Sequence, residues 1–151
     1  MVKPKPQQQH LVLLHVIAAF IGLILNAVIL LYLHKLEKLG CECAYDWRRN
    51  YIIAYTGFMI AYSAVDLCVA ASGNKTGAMS NVLKVLSPVV FIGGVLFAIF
   101  GIQYVHDLQK KKCECSEEIG RDVLYIVAVV DAIFFILIGL LGLTSWIRHQ
   151  F

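Results

Sequence analysis

Charge is scarce in this chain. Asp, Glu, Lys and Arg make up only 15% of its 151 residues, against 60% hydrophobic residues and a mean hydropathy of +0.75. A water-soluble four-helix bundle keeps a polar face on every helix, and this chain has too few polar residues to make one. Catalytic signatures are lacking too: there is no Gly-rich phosphate loop, no nucleophile motif and no Ser/His/Asp arrangement, so no enzymatic activity is expected. The net charge is only +3 and the basic residues sit in short clusters, which leaves no nucleic-acid footprint. No stretch is long and polar enough to form a separate soluble domain; the head "MVKPKPQQQH" (1–10) and the tail "WIRHQF" (146–151) are too short to fold alone.

What is present is apolar sequence in four runs, each near the roughly 20 residues that cross a bilayer as a helix. They cover 11–33, 51–71, 85–105 and 123–143. The expected fold is all-α, a bundle of four transmembrane helices. The first run lacks an A-x-A-like cleavage site and is longer than the apolar region of a signal peptide, so it reads as a retained span. Pro88 is expected in the first turn of the third helix, where a missing N–H costs least.

The polar sequence repeats. "YLHKLEKLGCECAYDWRR" (32–49) and "YVHDLQKKKCECSEEIGR" (104–121), offset by 72 residues, agree at eight of eighteen positions: Tyr32/Tyr104, His34/His106, Leu36/Leu108, Lys38/Lys110, Cys41/Cys113, Glu42/Glu114, Cys43/Cys115 and Arg49/Arg121. The chain is therefore two tandem helical hairpins, 11–71 and 83–145, joined by a link over 72–82. An even number of crossings per copy gives both the same orientation, with a pseudo-two-fold axis along the membrane normal. Both Cys-Glu-Cys loops then lie on one face, and the termini and link on the other. Eight Lys/Arg (Lys35, Lys38, Arg48, Arg49, Lys110, Lys111, Lys112, Arg121) fall on the loop face against five (Lys3, Lys5, Lys75, Lys84, Arg148) opposite, which puts the loops on the cytoplasmic side. A glycosylation sequon at Asn74-Lys75-Thr76 agrees with that orientation. Tyr32, Trp47, Tyr51, Tyr104 and Trp146 fall near span ends, where aromatic rings anchor a helix at the interface.

Chemistry concentrates at Cys41, Cys43, Cys113 and Cys115. Reduced thiols that shape a tight turn are the plain expectation. A four-thiolate zinc site, with His34 and His106 in reserve, is an alternative; its C-x-C spacing is tighter than that of familiar structural zinc sites. A thiol-redox role would need an oxidising face, and a disulfide inside one C-x-C closes a very small ring. Palmitoylation of juxtamembrane cysteines is a further option. No other cofactor is expected. Cys68 reads as a small packing residue.

Within the spans, Asp66, Lys84 and Asp131 are costly and call for partners. Asp66 and Lys84 flank the link and are expected to share an ion pair or a wet patch; Asn26 and His15 are offered to Asp131. A small transporter or ion-conducting protein would use Asp66 and Asp131. Packing glue is the plainer role, alongside the small residues Ala18, Ala19, Gly22, Gly93, Gly94, Gly101, Gly139 and Gly142.

The line "YLHKLEKLGCECAYDWRRNYI" (32–52) resembles small multi-pass proteins of the nucleocytoplasmic large DNA viruses, including the giant viruses of algae; its repeat "KKKCECSEEIGRDVLYI" resembles them more loosely. The resemblance implies a structural protein of the virion, a minor capsid protein that anchors the capsid shell to an internal lipid membrane. Its partners would be lipid, other capsid or membrane proteins and further copies of itself, contacted through Trp47, Arg48, Arg49 and Arg121. The second copy departs at Ile119 and Gly120, where the first has Trp47 and Arg48, so a partner read by those residues would differ between halves.

Overall fold

The computed structural model describes residues 6–72 and 78–150. Its element order is α1 (Pro6–Lys38), a 3-10 turn (Glu42–Ala44), α2 (Trp47–Ser72), α3 (Ala78–Lys110), a second 3-10 turn (Glu114–Ser116) and α4 (Ile119–Gln150). The fold is an all-α four-helix bundle. All four helices contain segments long and apolar enough to cross a membrane: Val16–Lys38, Trp47–Ala70, Asn81–Lys110 and Ile119–Leu141. Along α1 and α4, large apolar side chains such as Phe20, Leu31, Phe134 and Leu141 point away from the bundle. Water would penalise such a surface, and hydrocarbon would not.

Each helix packs on two others, in the cyclic order α1, α2, α3, α4. The α1–α4 and α2–α3 contacts join the two copies, so the hairpins pack on each other within one chain. The core gathers toward the end that carries the Cys-Glu-Cys loops. Ile29, Tyr32, Leu33 and Leu36 of α1 meet Ile52 of α2, Phe97, Tyr104, Val105 and Leu108 of α3, and Leu124 and Ala128 of α4. Their spacing of three, four and seven residues keeps them on one side of each helix.

Small residues let the helices approach where α3 is crossed. A methyl at Gly101 would sit 2.9 Å from Cβ of Ala128, while Gly93 abuts the Tyr55 ring and Gly94 the Phe135 ring. Gly22 and Gly139, also expected to pack, have nothing within 4 Å of such a methyl, and Ala18 is exposed. These face outward because the bundle closes tightly only in its loop-side half. Gly142 lies outside the residues with described side chains.

Two sequence expectations are corrected. α3 starts at Ala78, so Pro88 lies inside the helix rather than in its first turn, and the carbonyl of Lys84 loses its usual helical partner. The helix starts earlier because the end of the link, 78–82, is itself helical. Tyr32 and Tyr104 are not interface anchors: both are buried. Tyr51 is half-buried and donates to the Gly93 carbonyl at 2.9 Å. Trp47 alone of the described set is largely exposed, with its ring edge-on to Phe100 at 4.9 Å. The side chains of Trp146 and His15 and the sequon at 74–76 lie outside the described residues.

Candidate functional site: a cysteine-closed cap

Both loops begin the same way. α1 ends with Gly40 at φ +62°, its N–H bonded to the Glu37 carbonyl (3.1 Å) and the next N–H, of Cys41, to the Leu36 carbonyl (3.2 Å). α3 ends with Lys112 at φ +49°, its N–H on Gln109 (3.1 Å) and that of Cys113 on Leu108 (3.1 Å). Each pair of bonds is a Schellman motif, which reverses the chain and satisfies the last helical carbonyls. It delivers Cys41 and Cys113 to the core side of the turn, where both are buried. The 3-10 turns follow, and then the first turns of α2 and α4.

The four sulfurs meet at the pseudo-two-fold axis. Cys41 is bonded to Cys115 and Cys43 to Cys113, with Cα atoms 6.2 and 6.0 Å apart, within the normal disulfide range. A shift of 72 converts each link into the other. Across the axis the Sγ atoms of Cys43 and Cys115 are 3.5 Å apart, and all four sulfurs lie within 4.8 Å of one another. The pairing runs between copies, not within a C-x-C, so the small-ring objection to disulfides does not apply. Free thiols that merely shape each turn are replaced by a junction between hairpins. A link between residues 74 apart stabilises by about 4 kcal/mol through lost loop entropy. The second adds less, because its ends are already held together. His34 and His106 stay outside the sulfur group: both are exposed, 3.5 Å from Glu37 and 4.0 Å from Asp107 respectively. Cys68 is free and exposed on α2 rather than packed.

Hydrogen bonds repeat the same reciprocity. The Tyr32 hydroxyl of the first copy donates to the Ser116 carbonyl in the second loop (3.0 Å), and the Tyr104 hydroxyl of the second copy donates to the Ala44 carbonyl in the first (2.9 Å). Each buried phenol thereby satisfies a buried loop carbonyl. Tyr32 also explains Gly120. A methyl there would fall 2.5 Å from both Cβ and Cγ of Tyr32, so α4 can start against α1 only with glycine.

The arginines expected to face a partner are built into the cap. Arg49 is only 3% exposed; its Nη2 donates to the Leu33 carbonyl (3.1 Å) and to Glu37 (3.2 Å), and its guanidinium lies 5.0 Å from the Tyr45 ring centroid. Arg121, its counterpart, is mostly buried and lies 3.9 Å from Glu117 and 3.8 Å from Asp122. Arg48 bridges Asp46 and, across the copies, Asp107. On the other side Lys35 pairs with Glu118. Positions 35 and 107 are equivalent, but their partners are not: Glu118 corresponds to Asp46 and Arg48 to Gly120, so each copy reaches the other through a different position. At Asp46 burial pushes the carboxyl up, but the Arg48 hydrogen bonds outweigh it and hold the group below the usual carboxylate range. The inward turn of the arginines has a direct cause: helix-end carbonyls and carboxylates within the cap offer them fixed partners.

The remaining surface of the cap is apolar at its rim. Leu39, Tyr45, Trp47 and Ile119 are exposed, Trp47 by 63% and Ile119 by 82%. Ile119 was not singled out by sequence as a contact residue, yet it occupies the position equivalent to Trp47 and is the most exposed large apolar side chain described.

Of the intramembrane polar residues, Asn26 and Asp131 have different surroundings. Asn26 donates to the Gly22 carbonyl of its own helix (2.8 Å), so its amide is committed locally rather than to Asp131. Asp131 is half-buried on α4 within electrostatic reach of Tyr55, whose hydroxyl donates to the Val90 carbonyl (3.0 Å). Asp66 is half-buried in α2, and Lys84 is exposed on α3. No protein-family model, curated protein or solved structure matches this chain.

Proposed function

We infer that this chain is a structural integral membrane protein that presents a rigid docking cap at one membrane face. The observation that carries this reading is the cap itself. Two cross-copy sulfur links, two reciprocal tyrosine bonds and inter-copy ion pairs fix the loops, while Leu39, Tyr45, Trp47 and Ile119 keep most of their surface exposed. A preorganised surface with exposed aromatic and aliphatic groups among charges of both signs has the composition of a protein contact. The resemblance of residues 32–52 supports the finer form of the proposal: a minor capsid protein that joins a capsid shell to an internal lipid membrane.

The test is location and contact. A photo-crosslinker at position 47 or 119 should capture the same capsid or membrane protein reproducibly from virus particles, and one at exposed Leu31, facing lipid, should not. Absence of the chain from purified particles removes the virion role. Proton flux in reconstituted vesicles that is abolished by Asp131→Asn removes the structural role altogether.

A further inference from the structure

The Lys/Arg bias puts the cap on the cytoplasmic side, eight residues against five. Cytosolic thiols are kept reduced. Four sulfurs gathered on one axis, Cys41 and Cys113 buried, Cys43 half-buried and Cys115 exposed, would then be left as thiols without partners.

We propose that in the reduced chain Cys41, Cys43, Cys113 and Cys115 bind one zinc ion, so that a single metal closes the cap in place of two disulfides. The geometry supports this independently of the docking role. Tetrahedral zinc–thiolate bonds of about 2.3 Å set sulfur–sulfur edges of about 3.8 Å. Across the axis Cys43 and Cys115 are 3.5 Å apart, Cys113 and Cys115 are 3.7 Å apart, and no sulfur is more than 4.8 Å from another. Breaking the two bonded pairs and moving their sulfurs apart by about 2 Å completes the tetrahedron. Each copy supplies two ligands from one short turn, and both turns are pinned by Schellman motifs and the opposing tyrosine. Their backbone positions are therefore already set for a ligand on the axis. Soft thiolates select a soft, redox-inert ion. In the conversion a dithiol reductant supplies four electrons and four protons to the two disulfides. The four thiols then release four protons to solvent as one Zn²⁺ binds.

The full-length chain, purified in detergent without chelator under a thiol reductant, tests this. Metal analysis is expected to find one zinc per chain. Replacing zinc with Co²⁺ should give the charge-transfer absorption of a tetrahedral thiolate site, and bound zinc should shield all four cysteines, but not exposed Cys68, from alkylation. Cys115 is the exposed ligand, so Cys115→Ser leaves the packed core intact. It should weaken zinc binding beyond the ~10–100-fold expected of second-shell changes, with helicity retained. A folded, reduced chain with far less than one zinc overturns the proposal. So does Cys115→Ser binding zinc as tightly as the parent, or thiol trapping in cells that finds all four cysteines already disulfide-bonded.

Discussion

The two Schellman turns differ in one residue, and the difference has a calculable cost. Gly40 and Lys112 occupy equivalent positions, at φ +62° and +49°, and make matching backbone bonds at 3.0–3.2 Å with their neighbours. Glycine enters the left-handed region freely, whereas a side chain pays about 1–2 kcal/mol there. Against this, glycine loses about 0.5–1 kcal/mol more backbone entropy on folding. Lys112→Gly should therefore stabilise the chain by roughly 0.5–1 kcal/mol, and Gly40→Lys should destabilise it by a similar amount. Nothing lies within 4 Å of a Cβ at Gly40, so steric clash adds nothing to that figure. The double exchange should come out near neutral, because the sites lie on separate helix ends. Denaturation of the purified protein in mixed micelles, followed by helical circular dichroism, measures this directly; about 1 kcal/mol corresponds to some 2–4 °C in Tm for a chain of this size. If Lys112→Gly lowers stability, or Gly40→Lys leaves it unchanged, the left-handed turn is not what ends these helices.

Gly120→Ala should cost about 1–3 kcal/mol, since the clash is with Cβ of Tyr32, close to the α1 backbone, and cannot be relieved by rotating a distant group; equal stability in the same micelle assay would show that α4 can shift away from α1. Tyr104→Phe should cost about 1–3 kcal/mol by removing the donor to the buried Ala44 carbonyl, and Tyr32→Phe less, about 0.5–1.5 kcal/mol, because the Ser116 carbonyl keeps the Glu118 N–H at 2.9 Å; a larger loss from Tyr32→Phe would refute this account of the two carbonyls. At Asp46 the folded carboxyl titrates below its unfolded value, so the stabilisation is fully present above about pH 4 and lost as pH falls through the folded value. Asp46→Asn should flatten that acid limb of a stability–pH profile, and an unchanged limb would assign it to other carboxylates.

The four spans were legible because hydrocarbon imposes a rule that composition alone reveals: about 20 apolar residues, repeated four times. The duplication was legible because its polar half carries the matches. The pairing inside the cap was not, since the spacing of Cys41 and Cys43 describes only neighbours along the chain, whereas the links join residues 70 and 74 positions apart. Tyr32 and Tyr104 were misplaced for a related reason. An aromatic near a span end serves equally as an interface anchor or as a donor to a loop folding back over it, and only the tertiary structure separates the two. Asp66 and Asp131 stood out in the sequence because they are expensive, while Gly120, which decides how α4 meets α1, looked merely like a failure of the repeat.

The repeat itself held a usable signal. Of its matched positions, Tyr32/Tyr104, Leu36/Leu108, Cys41/Cys113 and Arg49/Arg121 are buried or nearly so; the tyrosines, leucines and cysteines hold the copies together, and each arginine braces the loop of its own copy. Positions 47/119 and 48/120, which differ, are where the copies make different contacts: Trp47 lies on Phe100 while Ile119 is exposed, and Arg48 bridges Asp107 while Gly120 admits Tyr32. The chain can vary such positions because no shared contact constrains both copies. His34/His106, Lys38/Lys110 and Glu42/Glu114 break the pattern, matched yet exposed. Packing gives no reason for those six residues to agree. Under the docking role proposed above, a partner seated over the pseudo-two-fold axis would supply one, because it would meet both halves at once and read the same side chains from each.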